Sequence, residues 1–139
     1  PALHKVCKRV TSFDNKLFKL LDDMAETLID SGGVGLAAPQ VGILRRVVVV
    51  QRFDKVGTPF EVYVNPEIVA RSESVALGPE GCLSVPDRRE EVARATEITL
   101  RYRDAVTFEP REEVVEGFTA VIFQHEIDHL DGVLYIDRL

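Results

Sequence analysis

The segment His125-Glu126-Ile127-Asp128-His129 sets the tightest limit on what this chain can fold into. It lies in a run, Glu116 to Leu130, that reads as a helix. Phe118, Ala120, Val121, Ile122, Phe123, Ile127 and Leu130 leave that helix little polar surface. A helix apolar nearly all round is a buried one. Two imidazoles and two carboxylates therefore ride on a core element, where they need strong compensation. Histidines at i and i+4 stack on one helix face, close enough to share a metal ion. Glu126 stands three residues before His129, so its carboxylate reaches the same patch and places a base beside the ion. The bland alternative, a solvated helix with charged and histidine residues facing water, conflicts with the apolar residues on every side.

The rest of the chain must cover that helix. Asp14 to Ile29 predicts an amphipathic helix, with Leu17, Leu20, Leu21, Met24 and Leu28 on one face and Ser31-Gly32-Gly33 ending it. Gly33 to Gly42 is a loop of small residues where backbone approaches other groups closely. Arg45 to Arg52 reads as a strand whose unbroken valines should be buried on both faces. Phe60 to Val64 is a strand stopped by Asn65-Pro66, and Ile68 to Leu77 alternates loosely. Glu91 to Arg103 reads as one long strand and Arg111 to Val115 as a short one, with Gly132 ending the second helix and Val133 to Ile136 left as an apolar tail. These elements predict an α+β fold: mixed or antiparallel strands surrounding a buried metal-binding helix, plus an N-terminal outer helix. A length of 139 residues fits a single catalytic domain over 1–139.

Composition narrows the partners. Hydrophobic residues at 45% supply a core, and a net charge of −6 argues against direct nucleic-acid binding, which needs a clustered basic surface. No apolar run approaches a membrane span, and no secretory leader is visible. The two cysteines, Cys7 and Cys82, are then expected in a reducing compartment as core, ligand or nucleophile.

A catalytic tetrahedral site takes three protein ligands and leaves one position open. Only ten residues follow His129, and they contain no His and no Glu. The third ligand therefore comes from upstream, or is Asp131 or Asp137, which sit close in sequence. His4 lies near a terminus. Cys82, in Glu80-Gly81-Cys82-Leu83-Ser84 with Gly78 and Gly81 permitting a tight turn, is the favoured thiolate; Cys7 has no comparable context.

Three stretches together resemble the peptide deformylase family. Gly33-Val34-Gly35-Leu36-Ala37-Ala38-Pro39-Gln40 is similar to its G-x-G-L-A-A-x-Q motif, Glu80 to Ser84 to its E-G-C-L-S, and Gln124 to Leu130 to its Q-H-E-x-D-H-L. Each is intact, in the family order, and the likeness spans nearly the whole chain. The resemblance implies removal of the N-terminal formyl group from formyl-methionyl nascent polypeptides, with release of formate. It implies one divalent metal held by Cys82, His125 and His129, with Fe(II) the usual physiological ion and zinc, nickel or cobalt able to substitute. Glu126 would be general base and then general acid. The Gln40 side-chain amide and the Leu83 N–H would hydrogen-bond the formyl oxygen. Val34, Val121, Ile122 and His125 would line a methionine pocket, Gly35 would bind substrate through its main chain, and Arg89 would contact the peptide backbone. An arginine on the following strand, Arg94, would join Glu80 and Asp128 in an ionic cluster that orients the ligands.

The chain departs from the family at Gly78-Pro79, where many members carry a bulkier apolar and a polar residue. It is similar to short forms, some phage-encoded, that lack a C-terminal helix extension. The expected partners are the N-formyl-methionyl peptide and, transiently, the ribosome's vicinity, with no nucleic acid and no membrane. The expected setting is a bacterial or phage-infected cytoplasm, or an organelle if a transit segment was removed. The competing enzyme reading is a zinc metallopeptidase of the H-E-x-x-H type, which the short tail and Cys82 disfavour. The non-enzymatic reading, a structural metal module, would need four protein ligands.

Overall fold

The computed structural model describes residues 6–11, 15–82 and 85–133; of residues 15, 80–82 and 85–90 it describes the backbone alone. The elements are α1 (Asn15–Ser31), β1 (Gly35–Ala37), a 3-10 turn (Ala38–Val41), β2 (Val47–Gln51), β3 (Phe60–Arg71), β4 (Val75–Cys82), β5 (Val85–Ala95), β6 (Glu97–Asp104), β7 (Pro110–Glu116) and α2 (Gly117–Leu130). All pairings between these strands are antiparallel, and an isolated parallel bridge joins Lys8 to Arg45. Five strands form one sheet in the order β1-β2-β3-β6-β7, and β4 and β5 form a separate hairpin.

The valine run explains how the layers stack. Val47, Val48, Val49 and Val50 are all fully buried, because side chains alternate across a strand and both faces of β2 are covered. Val47 and Val49 join Leu17, Leu21, Met24 and Leu28 of α1 in one core cluster. Val48 and Val50 join Ala120, Ile122, Phe123, Ile127 and Leu130 of α2 in the other. The sheet is thus clamped between an outer amphipathic helix and an inner one. The inner helix is buried at Thr119, Ala120 and every residue from Ile122 to Leu130, as its sequence predicts. Gly117 enters it at φ 69° and Gly132 follows it at φ 76°, left-handed positions where glycine costs least.

Three boundaries differ from the sequence expectation. The stretch Ile68–Leu77 is divided between β3, which ends at Arg71, and β4, which starts at Val75 and runs through Gly78-Pro79 to Cys82. Asn65-Pro66 does not stop β3 but marks an irregularity in its pairing with β6, between Val64 and Glu67. Asn65 takes φ 50°, a region asparagine tolerates, and its side chain accepts from Val10 N–H at 2.7 Å and donates to Val10 C=O at 2.8 Å. The proline, lacking an N–H, fits a bulge better than a regular ladder. The expected long strand Glu91–Arg103 is two strands, β5 and β6, broken at Thr96. Thr96 N–H donates to Ser74 C=O and Thr96 C=O accepts from Gly117 N–H, each at 3.0 Å. The tail expected over Val133–Ile136 lies, apart from Val133, outside the described residues.

A polar network braces the inner layer. Arg52, 3% exposed, forms ion pairs with Asp54 at 2.8 Å and Glu113 at 2.7 Å. It donates to Tyr63 Oη and lies 5.6 Å from the centre of the Phe123 ring on α2. The Arg52 hydrogen bond holds the Asp54 carboxyl below its ordinary value. Burial pushes Glu113 upward, but hydrogen bonds from Arg52 and Tyr102 outweigh it and leave that carboxyl lowered too. Groups with depressed folded pKa stabilise the fold above their unfolded values and lose that contribution as pH falls through the folded ones. Stability should therefore decline as pH drops below roughly 4. Glu113→Gln should flatten the decline in urea midpoints measured between neutral and acid pH; an unchanged slope would remove Glu113 from the account.

Candidate active site

α2 sits beneath β1, β2, β3, β6 and β7, against the 3-10 turn and beside β5. Its buried polar face carries the chemistry. His125 is 9% exposed, Glu126 4% and His129 1%, with the two imidazole centroids 5.1 Å apart. One ligand atom from each of the three lies within 4.8 Å of the others. Two imidazole nitrogens and a carboxylate oxygen converging in a water-poor layer suit a single divalent ion of borderline softness, so the donor set fits the expected metal. The Cys82 side chain, the Arg89 side chain and Leu83 lie outside the described residues. The backbone pairs Cys82 with Val85 at the closed end of the β4–β5 hairpin.

Two hydrogen-bonded clasps fasten α2 to β5. Gln124 accepts from Ala95 N–H at 3.0 Å and donates to Ala95 C=O at 2.8 Å, so its carboxamide behaves as one more unit of strand. One turn on, Asp128 pairs with Arg94 at 2.5 Å, each side chain 6% exposed. The pairing expected between Arg94 and Asp128 is therefore present, and the Glu80 side chain lies outside the described residues. The sequence reading placed Gln124 in the third motif but gave it no role. Its signal was a polar side chain on an otherwise buried helix, which requires a partner.

β1 closes the site from above. It pairs with β2 on one side and has no strand on its other edge among the described residues. Gly35 lies so close to α2 that a Cβ there would stand 2.6 Å from Glu126 Oε2 and 2.8 Å from Ile122 Cγ2. Only a residue without a side chain lets strand and helix approach this far. Gly35→Ala should displace Glu126 or lift β1. Overpacking of this kind costs about 1–3 kcal/mol, and a displacement near 1 Å at the reacting groups lowers turnover about 100-fold. A Gly35→Ala protein with unchanged kcat and thermal midpoint would contradict the packing account.

Val34 is half-buried against the inner core, and Ile122 is buried beside it. Val121 is half-buried on the adjoining stripe of the helix. Gln40 lies in the 3-10 turn, and its Oε1 accepts from Ala37 N–H at 2.8 Å. Because a backbone N–H can bond only the oxygen of the carboxamide, this contact fixes which end of Gln40 is the donor. The structure thus gathers Val34, Gly35, Gln40, Val121, Ile122, His125, Glu126 and His129 around β1 and α2. Cys7, buried at 5% exposure, belongs to the core.

A buried helix presenting two imidazoles and a carboxylate beneath an edge strand defines a metal-dependent hydrolase. The whole chain, residues 1–139, matches the polypeptide deformylase family. It is 46% identical to a peptide deformylase of Desulfotalea psychrophila, across 100% of this chain and 82% of the relative. The fold superposes on the crystal structure of peptide deformylase from Thermotoga maritima with a TM-score of 0.92 and 44% identity, covering 100% of this chain and 91% of that one. It superposes on a class I type b peptide deformylase from Acinetobacter baumannii, solved with Met-Ala-Ser bound, with a TM-score of 0.91 and 40% identity over 99% and 92% of the two chains. The chain belongs to the polypeptide deformylase family. Membership decides between the two enzyme readings made from sequence, in favour of deformylation over internal peptide cleavage. Among the described residues no helix is long and apolar enough to cross a membrane.

Proposed function

We propose that this chain hydrolyses the formamide of N-formyl-methionyl peptides, with Cys82, His125 and His129 as metal ligands and Glu126 as the proton-transfer group. The observation that carries the reading is the His125–Glu126–His129 constellation on a buried helix, in a chain that matches the family from end to end. When bound, the divalent ion supplies Lewis acidity, polarising the formyl carbonyl and lowering the pKa of a water molecule. Fe(II) is the ion we assign in the cell, with zinc, nickel or cobalt as substitutes.

The chain's own residues supply the rest. Glu126 takes a proton from the attacking water and returns it to the departing amine. The Gln40 NH2, oriented through its oxygen's bond to Ala37, and the Leu83 N–H stabilise the formyl oxygen as it gains charge. The open edge of β1 at Gly35 suits pairing with an extended peptide, with Arg89 holding the peptide backbone. Val34, Val121 and Ile122 present aliphatic groups beside His125, a surface suited to an unbranched, flexible methionine side chain. The Met-Ala-Ser bound to the Acinetobacter baumannii relative is consistent with such a peptide site. The cytoplasm, near the ribosome, is the setting we infer for this reaction.

The test is catalytic efficiency on formyl-Met, formyl-Ala and formyl-Asp peptides. Formyl-Met should lead, and Val121→Phe should lower kcat/KM for it by on the order of 10- to 100-fold while leaving metal content intact. Equal efficiency for the three peptides would remove the pocket.

A further inference from the structure

We propose that a cavity behind the metal helix binds a small monocarboxylate with an apolar body, gripped by Arg71, and that its occupancy steadies the helix that carries His125 and His129. The cavity measures about 370 Å³, within the range of sites that take small molecules. It lies where the end of β3 and the end of β5 meet α2, and Arg71, Ser72, Val75, Ala93, Gln124 and Asp128 line it. Successive residues of a helix are turned by about 100°, so the Gln124–Asp128 stripe is rotated by that much from the His125–His129 stripe. The cavity is therefore distinct from the cleft under β1. The inference needs the metal site but not the reaction proposed for it.

Charge selects the head of the ligand. Arg71, the last residue of β3, stands opposite Ile98, which stands opposite Val115. Residues directly opposite in a sheet share a face, and Ile98 and Val115 belong to the core that packs on α2. Arg71 thus leaves the sheet on the α2 side, and it forms no ion pair among the described residues. The other charges on the lining, Arg94 and Asp128, pair with each other at 2.5 Å. Gln124 spends both amide hydrogens, on Ala95 C=O at 2.8 Å and Ala120 C=O at 3.1 Å. Arg71 is the cation that remains to meet an anion, and a guanidinium fits a carboxylate through two parallel hydrogen bonds.

Magnitude selects the body. Arg71 is exposed, and a solvent-accessible ion pair contributes little alone. The walls at Val75, Ala93 and Ala95 are aliphatic. Roughly 60 Å² of apolar surface removed from water corresponds to a factor of ten in affinity. A bare anion such as acetate should therefore bind weakly, and a carboxylate that carries a ring or a short alkyl group should bind better.

The cavity also adjoins a joint. Between β3 and β4, and again between β5 and β6, the chain passes between the five-stranded sheet and the hairpin. Ser72 N–H donates to Glu97 C=O at 2.9 Å, Thr96 N–H to Ser74 C=O at 3.0 Å and Glu97 N–H to Ser72 Oγ at 3.1 Å, tying the two passages together. The hairpin has Cys82 at its closed end, and its base is clasped to α2 through Arg94 and Ala95. A ligand lodged against the joint and the clasps favours the arrangement that keeps hairpin and helix together. Linkage then requires metal and carboxylate to strengthen each other's binding by the same factor.

The test is an NMR titration of the zinc-loaded protein with benzoate, followed through its backbone amides. Shifts should appear at Ser72, Ala93 and Ala95 and not at Gly35 or Leu36. Replacing benzoate by benzamide, or Arg71 by glutamine (Arg71→Gln), should each weaken binding roughly fivefold, the upper end for one accessible ion pair. Acetate should bind at least about tenfold more weakly than benzoate. Ala93→Leu, which fills the cavity and keeps Arg71, should abolish binding. Saturating benzoate should slow zinc release to a chelator roughly fivefold, a modest coupling between two sites. Absence of shifts at the three amides, equal affinity for benzamide, or native affinity in Arg71→Gln would overturn the site. Shifts confined to Gly35 and Leu36 would place benzoate at the metal cleft and overturn it too. Zinc release unchanged by benzoate would overturn the link to the metal helix.

Discussion

Glu126→Gln is expected to leave the metal in place and to lower kcat by about 100- to 10,000-fold, the span general acid–base catalysis commands. The carboxamide fills the same volume, so the contact with Gly35 and the burial of this helical turn survive. What it lacks is a site that accepts a proton at one step and returns it at the next. The 4% exposure of Glu126 leaves little room for bulk water to take over that duty. Metal analysis of the purified variant beside single-turnover and steady-state rates checks the claim. A variant with near-native kcat would show that another group handles the proton. A variant that lost its metal would instead assign Glu126 to the ligand set, where its carboxylate's closeness to both imidazoles would also allow it to stand.

Asp128→Ala is expected to lower folding stability by about 3–5 kcal/mol, because it removes the carboxylate from a buried ion pair. Arg94 and Asp128 are each 6% exposed and joined at 2.5 Å. The pair links β5 to the helical turn that carries His125 and His129, the proposed metal ligands, so its loss should also speed metal release to a chelator. The Arg94→Met, Asp128→Leu double variant should be less destabilised than either single truncation, since it removes both members of this buried pair together. Urea unfolding of the three proteins decides the matter. A single-variant change within about 0.5 kcal/mol of native, the range of ordinary surface substitutions, would show that the pair does not hold the helix.

The sequence showed most clearly what the core enforces. The apolar surround of His125 to His129 marked α2 as buried, and the valines of β2 marked a strand covered on both faces; each follows from a run with no polar face. The break at Thr96 was not legible, because no glycine or proline marks it and the turn is set by backbone bonds to Ser74 and Gly117 far along the chain. The bulge at Asn65-Pro66 read as a stop for the opposite reason. Its punctuation is strong, but whether a strand resumes afterwards depends on β6, which the local sequence does not contain. In the site, Glu126 and the two histidines were legible from spacing, and Arg94 with Asp128 from the family likeness. The clasp of Gln124 on Ala95 and the cavity beside Arg71 needed tertiary structure, since each joins residues from distant elements whose types alone suggest nothing specific.

The most direct test is formate release from a formyl-Met peptide by protein purified and reconstituted with Fe(II) without oxygen. The account predicts stoichiometric formate and a free methionyl amine, abolished by chelation and restored by adding the ion back. It also predicts faster loss of activity in air than for zinc- or nickel-loaded protein, because iron and a thiolate ligand both oxidise. Cleavage of internal peptide bonds, or metal-loaded protein that leaves the formyl group on the peptide, would contradict it.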